Sequence, residues 1–253
     1  MAKQTKKGTA FPAVTTIGSE TVALIDSNGK WEKISLANLK TALGLGNINA
    51  MYEGVFIVYH NKSNGYAYAA RPEQWTALQN SGEVATGVLV VQGDKHLVVA
   101  PTEGDSAGMY WSSTNAAGGA YTTSDRVAAG LDFAGKANTA AILSHFPSDG
   151  ESYAPKFCAT YSRDNGNGKG YLAGSWWLPS CGELWLMYAN FHKINYCLSL
   201  ITGGVLLPEA AHWSSTEYSA SHAWCLYFNG GNQDANLKST YRLRVRPVSA
   251  FDW

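Results

Sequence analysis

The chain has 253 residues, 45% apolar and 12% aromatic, which is enough for one large core or two modest ones and excludes disorder over most of its length. Lys plus Arg equals Asp plus Glu at 19 each, which excludes both the basic excess of a nucleic-acid binder and the acidity of a solvating tail. Nine Trp, 14 Tyr and 26 Gly beside 15% charged residues point to short strands and long ordered loops, because aromatic rings need partners and glycine marks turns.

In chain order, the basic start Met1 to Gly8 is followed by no apolar h-region, and no stretch approaches the ~18 uninterrupted apolar residues of a spanning helix. Synthesis in the cytosol and no membrane span are expected. Thr15 to Trp31 reads as a small β unit, with the turn Asp26 to Gly29 between Val22–Ile25 and Trp31. Ser35 to Leu43 fits a short helix capped by Ser35 and stopped at Gly44. A piece this small is not stable alone, so residues 1–48 are expected to be a β/α attachment segment that oligomerises or docks.

Gly44 to Met51 reads as a linker, and residues 49–253 as a second domain. Val55 to Tyr59 is a strand, Arg71 to Leu78 opens a helix with Pro72 in its first turn, and Thr86 to Pro101 forms a hairpin across Gly93 and Asp94. Short two-sided alternation of this kind indicates an α+β fold rather than repeated βαβ units. Residues 102–170 hold an Ala-rich helical stretch at Lys136 to His145 and a Gly-dense run, Asp164 to Gly170. That run lacks the preceding strand and the Gly-Lys-Ser/Thr ending of a phosphate cradle, so it is a turn or exposed loop.

Pro179 and Ser180 open a further helix, with Glu183 three residues after Ser180 as its capping-box partner rather than a catalytic acid. Leu184, Met187 and Tyr188 share the face that enters the core. Tyr110-Trp-Ser-Ser-Thr114 recurs as His212-Trp-Ser-Ser-Thr216, a duplicated packing motif rather than a repeat array. Cys158, Cys181, Cys197 and Cys225 contain no C-x-x-C and are expected as free thiols; a bridge from Cys158 to Cys181 or Cys197 stays open for an oxidising setting. The six His form no H-x-x-x-H pair and no Ser-His-Asp grouping, so no metal, no cofactor and no catalytic residues are expected.

The last forty residues are the most informative. Trp224, Leu226 and Phe228 fall on one face of a strand and read as core, while Cys225 and Tyr227 fall on the other, free to vary or bind. Asn229 to Asn232 is a turn, and Tyr241 to Val248 reads as a strand carrying Arg242, Arg244 and Arg246. In a chain of zero net charge these arginines are expected to pair with carboxylates or loop carbonyls, Arg246 beside Pro247 being the least free.

Four motifs in order carry a resemblance: Trp-Leu-Pro-Ser-x-Gly-Glu-Leu at 177–184, Trp-Ser-Ser-Thr-Glu-Tyr at 213–218, Ala-Trp-x-Leu-x-Phe at 223–228 and Arg-Val-Arg-Pro-Val at 244–248. Together they resemble the variable proteins of diversity-generating retroelements over about residues 50–253. The resemblance implies a C-type-lectin-like α+β domain with short antiparallel strands, two or more helices and long ordered loops. It implies no enzyme but a receptor-binding protein of a bacteriophage tail or head fibre, or of a bacterial surface, engaging a host cell-surface protein or polysaccharide.

In such proteins adenine-directed mutagenesis rewrites codons, commonly AAY, and never yields Trp, Met, Lys, Gln or Glu. With a variable region at about 212–251, the resemblance assigns a displayed ligand-binding surface to His222, Cys225, Tyr227, Gly230, Asp234, Ala235, Leu237, Ser239, Tyr241 and Leu243. Trp224, Phe228 and Lys238 between them read as fixed, and strand alternation would equally place Leu243 in the core. Mixed aromatic and small polar residues suit an adaptable paratope.

Ile17 to Leu43 is similar to phage-fibre attachment segments, which implies virion or fibre proteins as partners and a homo-oligomer, for which a trimer would add avidity. Two alternatives differ in kind. One is a virion or surface-decoration protein without a dedicated ligand. The other is an oxidase similar to the formylglycine-generating enzymes, whose paired active-site thiols have no counterpart at a recognisable spacing here. Neither a Glu-Pro-Asn or Gln-Pro-Asp motif nor Trp-Asn-Asp occurs, so no calcium-dependent sugar site is expected.

Overall fold

A computed structural model describes residues 21–25 and 31–35 as backbone, and residues 53–251 with side chains. The chain divides into two compact units, Met1–Met51 and Tyr52–Trp253. In the first, β1 (Thr21–Ile25) pairs antiparallel with β2 (Trp31–Ser35), Ile25 standing opposite Trp31. This is the hairpin that the turn signal at 26–29 predicts. Ser35 closes β2; the remainder of the expected helix over 35–43 and the linker up to Met51 lie outside the described residues.

The second unit runs β3 (Gly54–His60), β4 (Ala67–Ala70), α1 (Pro72–Asn80), β5 (Ala85–Gln92), β6 (Lys95–Val99), α2 (Arg126–Gly130), α3 (Gly135–His145) and α4 (Ala154–Thr160). There follow β7 (Arg163–Asp164), β8 (Gly170–Tyr171), α5 (Cys181–Ala189), α6 (Phe191–Leu200), β9 (Ala211–Glu217), β10 (His222–Tyr227), β11 (Asn232–Leu237) and β12 (Val248–Ala250). The α+β expectation is met. One antiparallel sheet has the order β12-β6-β5-β3-β4, and a second the order β11-β10-β9.

The β-branched run of β5 is buried over its first seven residues, and Gly93 supplies the left-handed backbone, φ +58°, that lets β5 turn tightly into β6. Pro72 sits at the start of α1, whose Trp75 is wholly buried. Trp75 joins Val88, Val90, Val99, Leu184, Met187, Ile194, Leu226 and Phe228 in the first core, with Tyr188 partly buried against it. The Gly-dense run forms the tip of the β7–β8 hairpin, where Asn165 Oδ1 accepts from the Asn167 and Lys169 amides, so it is a turn as expected.

The echoed motif shows its purpose in the second core. Trp111 Nε1 donates to Ser214 O and Trp213 Nε1 to Met109 O, both at 2.8 Å, so each buried indole satisfies a backbone carbonyl beside the other copy. Around them pack Ile142, Cys158, Leu178, Ala223, Cys225 and Val245.

Tyr241 to Val248 departs from the expected strand. Leu243 exchanges bonds with Met109 (3.1 and 2.8 Å), Arg244 pairs with Ala211 and Trp213 of β9, and regular pairing begins only at Val248. The segment threads between two partners, and Pro247 has no N–H for a ladder.

At Gly231 φ is +70°, and a Cβ there would stand 2.8 Å from the Tyr188 ring. Gly231→Ala is therefore expected to destabilise the unit by about 2 kcal/mol through left-handed strain and overpacking, read as a lowered urea midpoint. An unchanged midpoint would show that the turn relaxes freely.

Candidate functional site

The candidate surface grows from β10 and β11. In their register Trp224 faces Ala235 and Leu226 faces Gln233, while Cys225 faces Asp234 and Tyr227 faces Asn232. Opposed residues share a sheet face, so the two sets project in opposite directions. The first carries the core: Trp224, Leu226 and Gln233 are buried, and Trp224 Nε1 donates to Thr123 O at 2.8 Å. Gln233 is tied down by Trp185 Nε1 at 2.7 Å and by its own bond to Arg126 O.

One member of the expected set is corrected on the second face. Cys225 is fully buried, because β10 is the central strand and its second face is covered by Trp213, Met109 and Val245. Asn236 Nδ2 donates to its sulfur at 3.1 Å, and burial pushes the thiol up to about 12. Tyr227 is half-buried beside it. Burial raises the Tyr227 hydroxyl above its ordinary range, Cys225, Asp234 and Tyr241 add to the rise, and a hydrogen bond with Asn236 opposes it. Tyr227, Asp234, Asn236 and Tyr241 are thus neighbours over Cys225.

The other members reach solvent elsewhere. His222, Ala235 and Leu237 lie on the Trp224 side, where the rim aromatic Tyr218 meets Trp224 edge-on at 5.0 Å. Gly230 is exposed in the β10–β11 turn, and Ser239 is half-buried with its amide on Asn115 Oδ1 at 2.9 Å. Tyr241 is exposed, whereas Leu243 packs partly against the second core. The accessible residues do not form one flat face; they wrap β11, the edge strand. Asn232 and Asn236 belong with them, and their period-two spacing with Asp234 is the signal that identifies them.

Beneath this rim lies a buried ion pair. Lys238 and Glu217 are both inaccessible, and Lys238 Nζ bonds Glu217 Oε2, Ala116 O (2.8 Å) and Ala220 O (2.7 Å), with the Trp111 ring 4.5 Å away. Glu217 also accepts from the Gly118 and Ala120 amides at 2.9 Å. One pair thereby pins the loop at 116–120, the loop at 218–221 and the end of β11.

The three arginines step along residues 100–108. Arg242 bonds Gly108 O and Asp105, Arg244 bonds Glu103 at 2.9 Å, and buried Arg246 bonds Ala100, Val205 and Leu206 carbonyls. They brace the segment, as zero net charge leads one to expect. Glu183 caps α5, accepting from the Ser180 amide at 2.7 Å and from Trp177 Nε1 at 3.1 Å, and burial raises its carboxyl to about 7.

Among the described residues no group of three or more His, Cys, Asp or Glu is arranged to hold a metal ion, and no helix is long and apolar enough to cross a membrane. All four cysteines are buried and unpaired.

No family model matches the chain, and no curated protein matches it. A solved structure similar to it is that of a fimbrial protein from Bacteroides ovatus, with 16% identity and a TM-score of 0.44 over 62% of this chain. The chain spans 36% of that protein's length.

Proposed function

We propose that the chain is a non-catalytic receptor-binding protein of the retroelement-diversified kind, displaying a rewritable surface around β10 and β11 on a C-type-lectin-like scaffold. The observation that carries this is a division of residue types. The residues of 212–251 that adenine-directed rewriting of AAY codons cannot write are Trp213, Glu217, Trp224, Gln233 and Lys238, and none is more than 3% exposed. Buried Trp is ordinary, but Glu, Gln and Lys are seldom buried unless each is fully partnered, as these are. Every proposed rewritable position except Cys225 retains some access to solvent.

A fixed interior beneath a replaceable rim is what a scaffold needs if its ligand contacts are to change without unfolding it. The first and last strands of the unit lie in the five-stranded sheet while 211–237 build the three-stranded one, which supports the lectin-like reading. A host surface protein or polysaccharide is the proposed ligand, met from a virion or a bacterial surface, with the first unit attaching the chain to a fibre assembly as a homo-oligomer. The oxidase alternative is weakened by the thiols themselves. Cys181 and Cys225 lie near enough to influence one another, but both are buried, and burial pushes each thiol up to about 12.

The encoding locus tests the proposal. It should hold a reverse transcriptase gene and a near-copy of codons 212–251 differing only where one copy has adenine. A locus with neither, and independent isolates invariant at these codons, would leave a decoration protein as the better account.

A further inference from the structure

A cavity of about 440 Å³ opens beside the β10–β11 turn, lined by Tyr188, Ala189, Phe191, His192, Glu209, Phe228 and Asn229. Its size lies within the range of small-ligand sites. The aromatic lining is built rather than incidental. Phe228 meets Tyr188 at 5.8 Å and Phe191 edge-on at 5.7 Å, His212 stacks beneath Phe228 at 4.3 Å, and Trp185 holds Tyr188 edge-on at 5.7 Å. Rings fixed by rings cannot turn aside when a ligand arrives.

The charge is one-sided. Glu209 supplies a carboxylate at the rim, and among the described residues no lysine or arginine lines the cavity; Lys193, adjacent in the chain, lines a different one with Val55, Pro72 and Tyr196. Glu209 and Asn229 are exposed, and among the described residues no hydrogen bond engages the side chain of either. Phe191 and Phe228 are buried and back the cavity, so the rings open to it are half-buried Tyr188 and exposed His192; a carboxylate beside them favours an organic cation, whose charge gains from Glu209 and the Tyr188 ring while its alkyl stem covers apolar carbon.

We infer that this cavity is a binding site for an alkylammonium or guanidinium group, presented as a lysine or arginine side chain of a protein partner. The site does not depend on diversification, since Tyr188, Phe191, His192 and Glu209 lie outside residues 212–251. It borders the exposed turn at Gly230, so a partner seated on the β11 rim could place one basic side chain here as a constant anchor beside contacts that change.

The test is titration of the full chain with N-acetyl-lysine methylamide, N-acetyl-arginine methylamide, n-butylammonium and the neutral N-acetyl-norleucine methylamide, followed by ¹H–¹⁵N shifts. The capped lysine or arginine should bind with shifts confined to Tyr188, Ala189, His192, Glu209 and Asn229, and Glu209→Gln should weaken binding about tenfold. Both Glu209 and Asn229 are exposed, so Glu209→Gln and Asn229→Ala should leave the fold intact. If n-butylammonium binds while the capped amino acids do not, the site takes free amines and the protein-partner assignment fails. Equal binding of the norleucine compound, shifts elsewhere, or an unaffected Glu209→Gln variant would overturn the site altogether. None of these readouts responds to the presence or absence of a retroelement.

Discussion

Lys238→Met is expected to cost about 3–5 kcal/mol of unfolding free energy, because it leaves the Glu217 carboxylate buried without its counter-charge. The loss has three parts. Glu217 keeps only the Gly118 and Ala120 amides, the Ala116 and Ala220 carbonyls lose their donor, and Trp111 loses the ammonium near its ring. Burial lowers the Lys238 pKa, and Glu217 opposes that fall by holding the charged form.

The double variant Glu217→Gln, Lys238→Met should recover part of the loss, since it removes the stranded charge while Gln still accepts from the loop amides. Urea unfolding gives the cycle, and hydrogen exchange at 116–121 and 218–221 should report the released loops. A Lys238→Met midpoint within the error of the parent would mean that water or rearrangement compensates, and the pair would not be what holds the rim. A double variant worse than Lys238→Met would show that the lysine's neighbours, not the stranded carboxylate, dominate.

Local chemistry was legible in the sequence wherever partner and signal lie close together in the chain. The pairing of Val22–Ile25 with the segment from Trp31, Gly93, Pro72, the Ser180–Glu183 capping pair and the core face of Trp224, Leu226 and Phe228 each depend on neighbours within a few positions, and each is found. The echo of Tyr110–Thr114 in His212–Thr216 pointed to shared packing, but not to the exchange of indole bonds between the copies.

What failed depends on sheet order. Alternation places Cys225 and Tyr227 on one face of β10 but does not say that β10 is central or that Trp213, Met109 and Val245 cover that face. Cys225 is consequently core while Tyr227, two residues on, is half open. The same limit applies to Tyr241 to Val248, whose alternating pattern suits a strand yet whose bonds go to two different segments. Lys238 was readable as fixed, but its partner Glu217 stands 21 positions away and only the fold joins them.

Stability should be nearly flat between about pH 4.5 and 6.5 and fall steeply below, because two buried groups titrate with opposite sign. Burial lowers His212 to about 3, a bond to Ala210 O opposes this, and Arg246 and Arg244 lower it further. Its Nε2 is buried without a partner, so a second proton there has no acceptor. The unfolded chain takes that proton below about 6.5 while the folded chain refuses it, so the His212 contribution is complete above 6.5 and lost as the pH falls toward 3. At about 1.4 kcal/mol per unit the loss reaches about 5 kcal/mol.

Glu183 works the other way: burial, with a small push from Asp132, raises it to about 7 despite bonds from Ser180 and Trp177. From about pH 4.5 upward the unfolded chain releases a proton that the folded chain keeps, so stability declines by about 3 kcal/mol as pH rises toward 7. Glu183→Gln should remove that decline and leave the slope of His212 unopposed, so that stability rises with pH all the way to 6.5. His212→Phe retains a ring against Phe228, costs about 1 kcal/mol for the lost Ala210 bond, and should remove most of the acid slope. Urea midpoints from pH 3 to 8 for the parent and both variants decide the matter; parallel curves for all three would mean that neither buried group controls the acid response.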